Sequence, residues 1–196
     1  RWVLDPVDGT AGFTIGVPLF GTLVALLENG RPVVGVIHFP ALNETVFAAD
    51  GAGCWFRTNE NEQRVHVDTV DPLSDATVTT TALHSSDVTA EANETPYRLT
   101  DLVRQAGKFR FVTDCLQHAL VARGRTHAAV DTLMHPWDVA ALVPCVREAG
   151  GVAMPLDPSA DDVVFGGSLL SASTESLAHE VRSLLQPTDD AAPQST

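Results

Sequence analysis

Three acidic side chains stand where they could do chemistry. Asp5 and Asp8 lie three apart in Asp5-Pro6-Val7-Asp8-Gly9-Thr10, and Asp138 follows Pro136-Trp137. The apolar Trp2-Val3-Leu4 reads as a strand that delivers Asp5 at its end, where Pro6 stops the ladder and Asp8-Gly9 turns the chain. Carboxylates on one tight loop suit hard cations such as Mg²⁺, which take oxygen ligands at about 2.0–2.1 Å. Asp5 and Asp8 can bridge two such ions, and the Val7 carbonyl adds another oxygen. If Gly9 and Thr10 open a helix or nest, their N–H groups point at a phosphate, and the Thr10 hydroxyl can position an attacking water. Asp5 and Thr10 are therefore the candidate catalytic residues. Each residue of the string is also a good turn former, so a plain turn is the competing explanation.

Asp138 precedes Val139-Ala140-Ala141-Leu142, which places it in the first turn of a helix expected over 139–149 and ending near Glu148-Ala149-Gly150-Gly151. An acid there can simply offset the helix dipole. A haloacid-dehalogenase-like phosphatase needs an acid two positions after its nucleophilic aspartate, and Val7 occupies that place.

The elements that must position these groups fall into two textures. Over 20–56 the pattern is an antiparallel meander, with strands at 22–27, 33–39, 44–49 and 54–56 and turns at Asn29-Gly30, Asn43 and Asp50-Gly51. The stretch 57–75 is polar and reads as loop, with a lobe boundary near Asp71. Beyond it strands at 76–81, 109–112 and 128–130 alternate with helices at 99–106, 116–122 and 139–149, which favours an α/β layer with partly parallel strands. A last helix over 175–185, capped by Ser173 or Thr174, precedes a polar tail. The fold class is thus α+β or α/β: a meander lobe over 1–71, an α/β lobe over 72–186, and a disordered tail over 187–196.

The 196 residues suffice for one sizeable domain or two small lobes. A net charge of −13, with Lys108 the only lysine, disfavours nucleic acid as a partner, and no apolar run is long enough for a membrane helix. Three cysteines without a C-x-x-C pair argue against a disulfide framework and for a reducing cytoplasmic location.

Together the motifs resemble those of the inositol monophosphatase superfamily, W-x-x-D-P-x-D-G-T followed by W-D-x-A-A and E-A-G-G. They stand here as Trp2 to Thr10, Trp137 to Ala141 and Glu148 to Gly151, and the resemblance covers about residues 1–185. It implies a layered sugar-phosphatase fold in which Asp5, the Val7 carbonyl, Asp8 and Asp138 bind two or three Mg²⁺ ions, while Gly9 and Thr10 hold phosphate. It implies hydrolysis of a small-molecule phosphate ester by metal-activated water, and a homodimer. Members also carry an upstream Glu-bearing motif and elements that cover the meander. The chain is therefore expected to be N-terminally truncated and to expose an apolar sheet face, with a non-catalytic metal- or phosphate-binding fragment as the alternative to an enzyme.

Short strings, Thr113-Asp114-Cys115, Gly16-Val17-Pro18 and His135-Pro136-Trp137-Asp138, look closer to the histidinol-phosphatase branch than to inositol phosphatases. Counted from Asp138, Asp131 and Asp114 match substrate-side positions of the family. Two extra carboxylates there would attract an ammonium-bearing alcohol by about 1–4 kcal/mol in a partly solvated site. L-histidinol phosphate is the expected substrate and inositol 1-phosphate the alternative. His118, His127 and His135 form no metal-ligand spacing and are expected to pack or to be solvated, Trp55 and Trp137 to pack, and Cys115 to be unreactive.

Overall fold

The computed structural model describes residues 1–90 and 97–186; the tail expected over 187–196 lies outside them. Apolar runs with alternating burial build the first sheet. β1 (Trp2–Asp8), β2 (Gly21–Glu28), β3 (Arg31–Phe39), β4 (Glu44–Ala49), β5 (Gly53–Arg57) and β6 (Glu62–Val65) pair antiparallel in chain order. Leu23, Ala25 and Leu27 of β2, Ile37 and Phe39 of β3, and Val46 and Ala48 of β4 share one buried face. On the opposite face Trp2 and Leu4 pair with Leu26 and Val24; the first two are exposed and the second two half-buried.

Pro6 does not end β1. The strand continues to Asp8, and the register shifts between the pairs Asp5–Leu23 and Asp8–Gly21, so three residues advance on β1 against two on β2. Lacking an N–H, Pro6 fits such a bulge, and the bulge brings Asp8 to a buried position. β6 falls within the stretch expected to be loop. Its Glu62-Gln63-Arg64 is exposed on the sheet edge, and only Val65 is buried, so it carries no apolar alternation.

The second sheet runs β10–β11–β9–β7–β8, comprising β7 (Thr77–Thr80), β8 (Lys108–Phe111), β9 (Ala128–Asp131), β10 (Val152–Met154) and β11 (Leu169–Ala172). β7 is parallel to both β8 and β9, whereas β11 is antiparallel to β9 and β10. β10 and β11 were not expected: at three and four residues both are short, and β11 is buried throughout, without the alternation that marks a half-exposed strand.

The helices are α1 (Thr10–Thr14), α2 (Leu99–Gln105), α3 (Asp114–Ala122), α4 (Pro136–Val139), α5 (Leu142–Glu148) and α6 (Glu175–Leu185). α3 and α5 lie between the two sheets and join their inner faces in one core, while α2 and α6 pack on the far side of the second sheet. The Thr174 hydroxyl caps α6 by accepting from the Leu177 N–H.

The helix expected over 139–149 is broken at Ala140-Ala141, between α4 and α5. That junction presses on β3 so closely that a Cβ on Gly35 would lie 2.2 Å from the Ala141 carbonyl oxygen. The absence of a side chain on Gly35 is what admits the Ala141 backbone. At the other end of α5, Glu148 accepts from the Gly51 and Gly53 N–H groups at 2.9 and 2.7 Å. The glutamate of Glu148-Ala149-Gly150-Gly151 thus clamps α5 to the β4–β5 turn.

Candidate metal centre and cleft

Asp5 and Asp8 flank the β1 bulge, and Asp138 is the third residue of α4. One carboxylate oxygen from each lies within 4.8 Å of the others. A backbone N–H orients every member: Val7 donates to Asp5 Oδ1 at 3.0 Å, Cys115 to Asp8 Oδ2 at 2.8 Å, and His135 to Asp138 Oδ2 at 2.8 Å. The last of these belongs to a capping box at the start of α4, with Pro136 at the first helical position. Asp138 is therefore both a cap and a member of the cluster.

Crowding of carboxylates in a buried place is costly. Burial pushes the Asp8 carboxyl up to about 7 despite the hydrogen bonds from Cys115, and the charges of Asp114 and Asp138 add to the rise. Burial likewise raises Asp138 to about 6; the His135 N–H opposes the rise, and the neighbouring Asp5 carboxylate reinforces it. Burial and the Asp131 charge raise Asp114, with His118 acting against them. Burial and Asp8 push the Cys115 thiol well up, which leaves it an unreactive neutral thiol. Hard oxygen donors carrying uncompensated negative charge fit a divalent cation of the Mg²⁺ type and lack the nitrogen and sulfur ligands of a structural zinc site.

Beside the cluster opens a cleft of about 460 Å³. Asp8, Asp138, Asp114 and Asp131 all line it. Asp114 begins α3 in the left-handed region (φ 43°), where its N–H donates to Thr81 Oγ1 at 2.8 Å. A Cβ on Gly9, itself at φ 85°, would lie 2.9 Å from Asp114 Oδ2, so only glycine allows the first motif to approach this carboxylate so closely. Asp131 ends β9, and its Oδ2 accepts from Gln117 Nε2 at 2.7 Å and His118 Nε2 at 3.0 Å. Gly9 caps α1, Thr10 is exposed at its start, and Ala11 and Gly12 of that helix line the cleft. Val7 lies half-buried in the bulge.

The fold thus gathers Asp5, Asp8 and Asp138 into one cluster and sets Asp114 and Asp131 on the wall of the adjoining cleft. Gly9 touches that wall, and Thr10 flanks it. Several participants carried no signal of their own: Thr81 and Thr132, just past the carboxyl ends of β7 and β9, and Gln117, buried behind Asp131. The position of the threonines was readable, since open parallel sheets place ligands at the carboxyl ends of strands. His135, expected only to pack or be solvated, stacks on Trp137 with ring centroids 4.7 Å apart and supplies the N–H that holds Asp138.

Residues 1–186 match the profile of the inositol monophosphatase family. The chain belongs to that family. The histidinol-phosphatase of Chlorobaculum parvum is 38% identical over 173 residues, which make up 88% of this chain and 63% of that protein. The histidinol-phosphatase of Mycobacterium tuberculosis is 37% identical over 181 residues, 92% of this chain and 66% of its own length. This inositol monophosphatase family chain therefore spans less than two-thirds of either relative. Among solved structures, an inositol monophosphatase from Zymomonas mobilis superposes with a TM-score of 0.81 at 28% identity, covering 93% of this chain and 69% of that one. The two-sheet layered α+β architecture is the family's fold. Among the described residues, no helix is long and apolar enough to cross a membrane.

Proposed function

We propose that this chain carries the catalytic part of a Mg²⁺-dependent phosphomonoesterase whose substrate is a small cationic alcohol phosphate, L-histidinol phosphate. The supporting observation is the cleft shared by the two carboxylate sets: Asp8 and Asp138 from the cluster, and Asp114 and Asp131 beyond it. Asp5, Asp8 and Asp138, with the Val7 carbonyl, are the groups that hold two or three Mg²⁺ ions. Bound there, Mg²⁺ supplies Lewis-acid polarisation of the phosphoryl oxygens and lowers the pKa of water.

The chain's own residues do the rest. The Gly9 and Thr10 amides bind phosphate, the Thr10 hydroxyl orients the attacking water, and Asp5 serves beside it as a catalytic carboxylate. Asp114 and Asp131 meet the ammonium end of the alcohol, where neutral inositol would gain only hydrogen bonds. The two similar proteins named above, both histidinol-phosphatases, support this choice. Similarity to an inositol monophosphatase structure makes inositol 1-phosphate the second candidate. The same proposal places the protein in the cytoplasm as a homodimer, in histidine biosynthesis.

The test is kcat/KM for L-histidinol phosphate against inositol 1-phosphate, on the natural full-length chain with Mg²⁺. A preference of about tenfold or more for histidinol phosphate is expected, the value of one well-placed charge contact. A preference for inositol overturns the substrate assignment. Failure to hydrolyse either leaves a binding protein without phosphatase activity.

A further inference from the structure

We propose that His118 is a positioning residue for substrate selection, holding Asp131 so that this carboxylate presents one fixed oxygen to the cleft. The inference rests on the proposed role of Asp131 at the alcohol end of the substrate. His118 is fully buried and sandwiched between two polar partners. Its Nε2 lies 3.0 Å from Asp131 Oδ2, and its Nδ1 lies 2.8 Å from Ser171 Oγ on β11.

The partners determine the proton arrangement. An ionised carboxylate only accepts, so Nε2 carries the hydrogen, and Nδ1 is left to receive the Ser171 hydroxyl proton when the ring is neutral. Gln117 Nε2 donates to the same Oδ2 at 2.7 Å and to Thr81 Oγ1 at 2.9 Å. Two N–H donors therefore engage one oxygen of Asp131, on a residue that lines the cleft. A carboxylate gripped in this way cannot rotate to average its two oxygens, and its Oδ1 stays available to a ligand.

Spacing along α3 makes the arrangement one unit. Asp114, Gln117 and His118 stand at i, i+3 and i+4, on a single helical face turned toward β9. One helix thus supplies one selecting carboxylate and braces the other. Removal of His118 leaves Asp131 held by Gln117 alone, so its carboxylate is less tightly fixed, and it disturbs packing in the buried core; only the first effect discriminates between substrates.

His118→Leu preserves much of the volume and removes both ring nitrogens. For this variant in the full-length protein, the ratio of kcat/KM for histidinol phosphate to that for glycerol 2-phosphate, a neutral alcohol ester, is expected to fall about tenfold, through KM. His118→Gln, whose amide nitrogen can donate near the Nε2 position, is expected to recover the ratio to within about threefold of wild type. If His118→Leu does not fold, Ser171→Ala joins the glutamine variant in the test. Loss of the bond to Nδ1 is expected to lower the ratio by about threefold.

Asp131→Asn separates the possible failures. If it abolishes the preference while the His118 and Ser171 variants retain it, the positioning role is overturned and the substrate assignment stands. If Asp131→Asn keeps the preference, Asp131 does not select the alcohol, and the role of His118 falls with it. An equal loss on both esters in His118→Leu, unrescued by glutamine, also overturns positioning, because damage to the core alone would do that.

Discussion

Asp138→Asn is expected to lower kcat by on the order of a thousandfold or more while raising the melting temperature of the metal-free protein. The opposite signs follow from the geometry. Asparagine keeps a side-chain oxygen that can accept from the His135 N–H, the bond that caps α4 at 2.8 Å, so the helix start is retained. What disappears is the negative charge of a carboxyl that burial and the neighbouring Asp5 raise to about 6. In the metal-free fold this charge is a liability. With Mg²⁺ bound, it is one of three carboxylates expected to hold the ion. A residue serving only as a helix cap would lose little activity and gain no stability on this change. Steady-state rates and thermal melts in EDTA, measured on the same preparation, distinguish the two.

The metal-free fold is also expected to weaken as pH rises from about 4 to about 7, and Mg²⁺ to restore it increasingly over the same range. Asp8 moves from 3.8 when unfolded to about 7 when folded, chiefly because it is buried. Between those values the folded state binds more protons than the unfolded one, so unfolding free energy declines with pH. Below about 4 both states are protonated, and above about 7 the full cost is present. For Asp8 that cost is on the order of 4 kcal/mol. Asp138, at about 6, adds in the same direction. A divalent cation replaces the protons, so its stabilising effect is expected to be small at pH 5 and large at pH 8. Asp8→Asn should flatten the pH dependence in EDTA. The measurement is denaturant unfolding across pH, with and without Mg²⁺, for wild type and this variant.

Legibility in the sequence followed burial geometry. β2, β3 and β4 were readable because each is an apolar run, such as Leu23-Val24-Ala25-Leu26-Leu27, bounded by turn formers at Asn29-Gly30, Asn43 and Asp50-Gly51. β6 was not, since an edge strand of Glu62-Gln63-Arg64 buries almost nothing. β11 was not, for the opposite reason: Leu169 to Ala172 is buried on every side and leaves no contrast. The break at Ala140-Ala141 was hidden because Ala140 and Ala141 are good helix formers, and the contact made there, with Gly35, lies more than a hundred positions away.

The cluster members Asp5, Asp8 and Asp138 could be read because spacing and flanking strand or helix signals constrained each. The means of orienting them could not, because the donors to Asp8 and Asp138 are backbone N–H groups, of Cys115 and His135, which residue types do not reveal. His118 illustrates the same limit. Isolated in sequence, it looks like a packing histidine; its position i+4 from Asp114 acquires meaning only when β9 and β11 bring Asp131 and Ser171 to its two nitrogens.

The most direct test of the account is a crystal soaked in Mn²⁺, the anomalously scattering substitute for Mg²⁺, at a pH above 7 where Asp8 and Asp138 are ionised. The account predicts an anomalous peak bounded by the carboxylates of Asp5, Asp8 and Asp138, with oxygens at about 2.0–2.3 Å, and its loss in Asp8→Asn. A well-diffracting crystal with those three carboxylates ordered and no peak among them would contradict it.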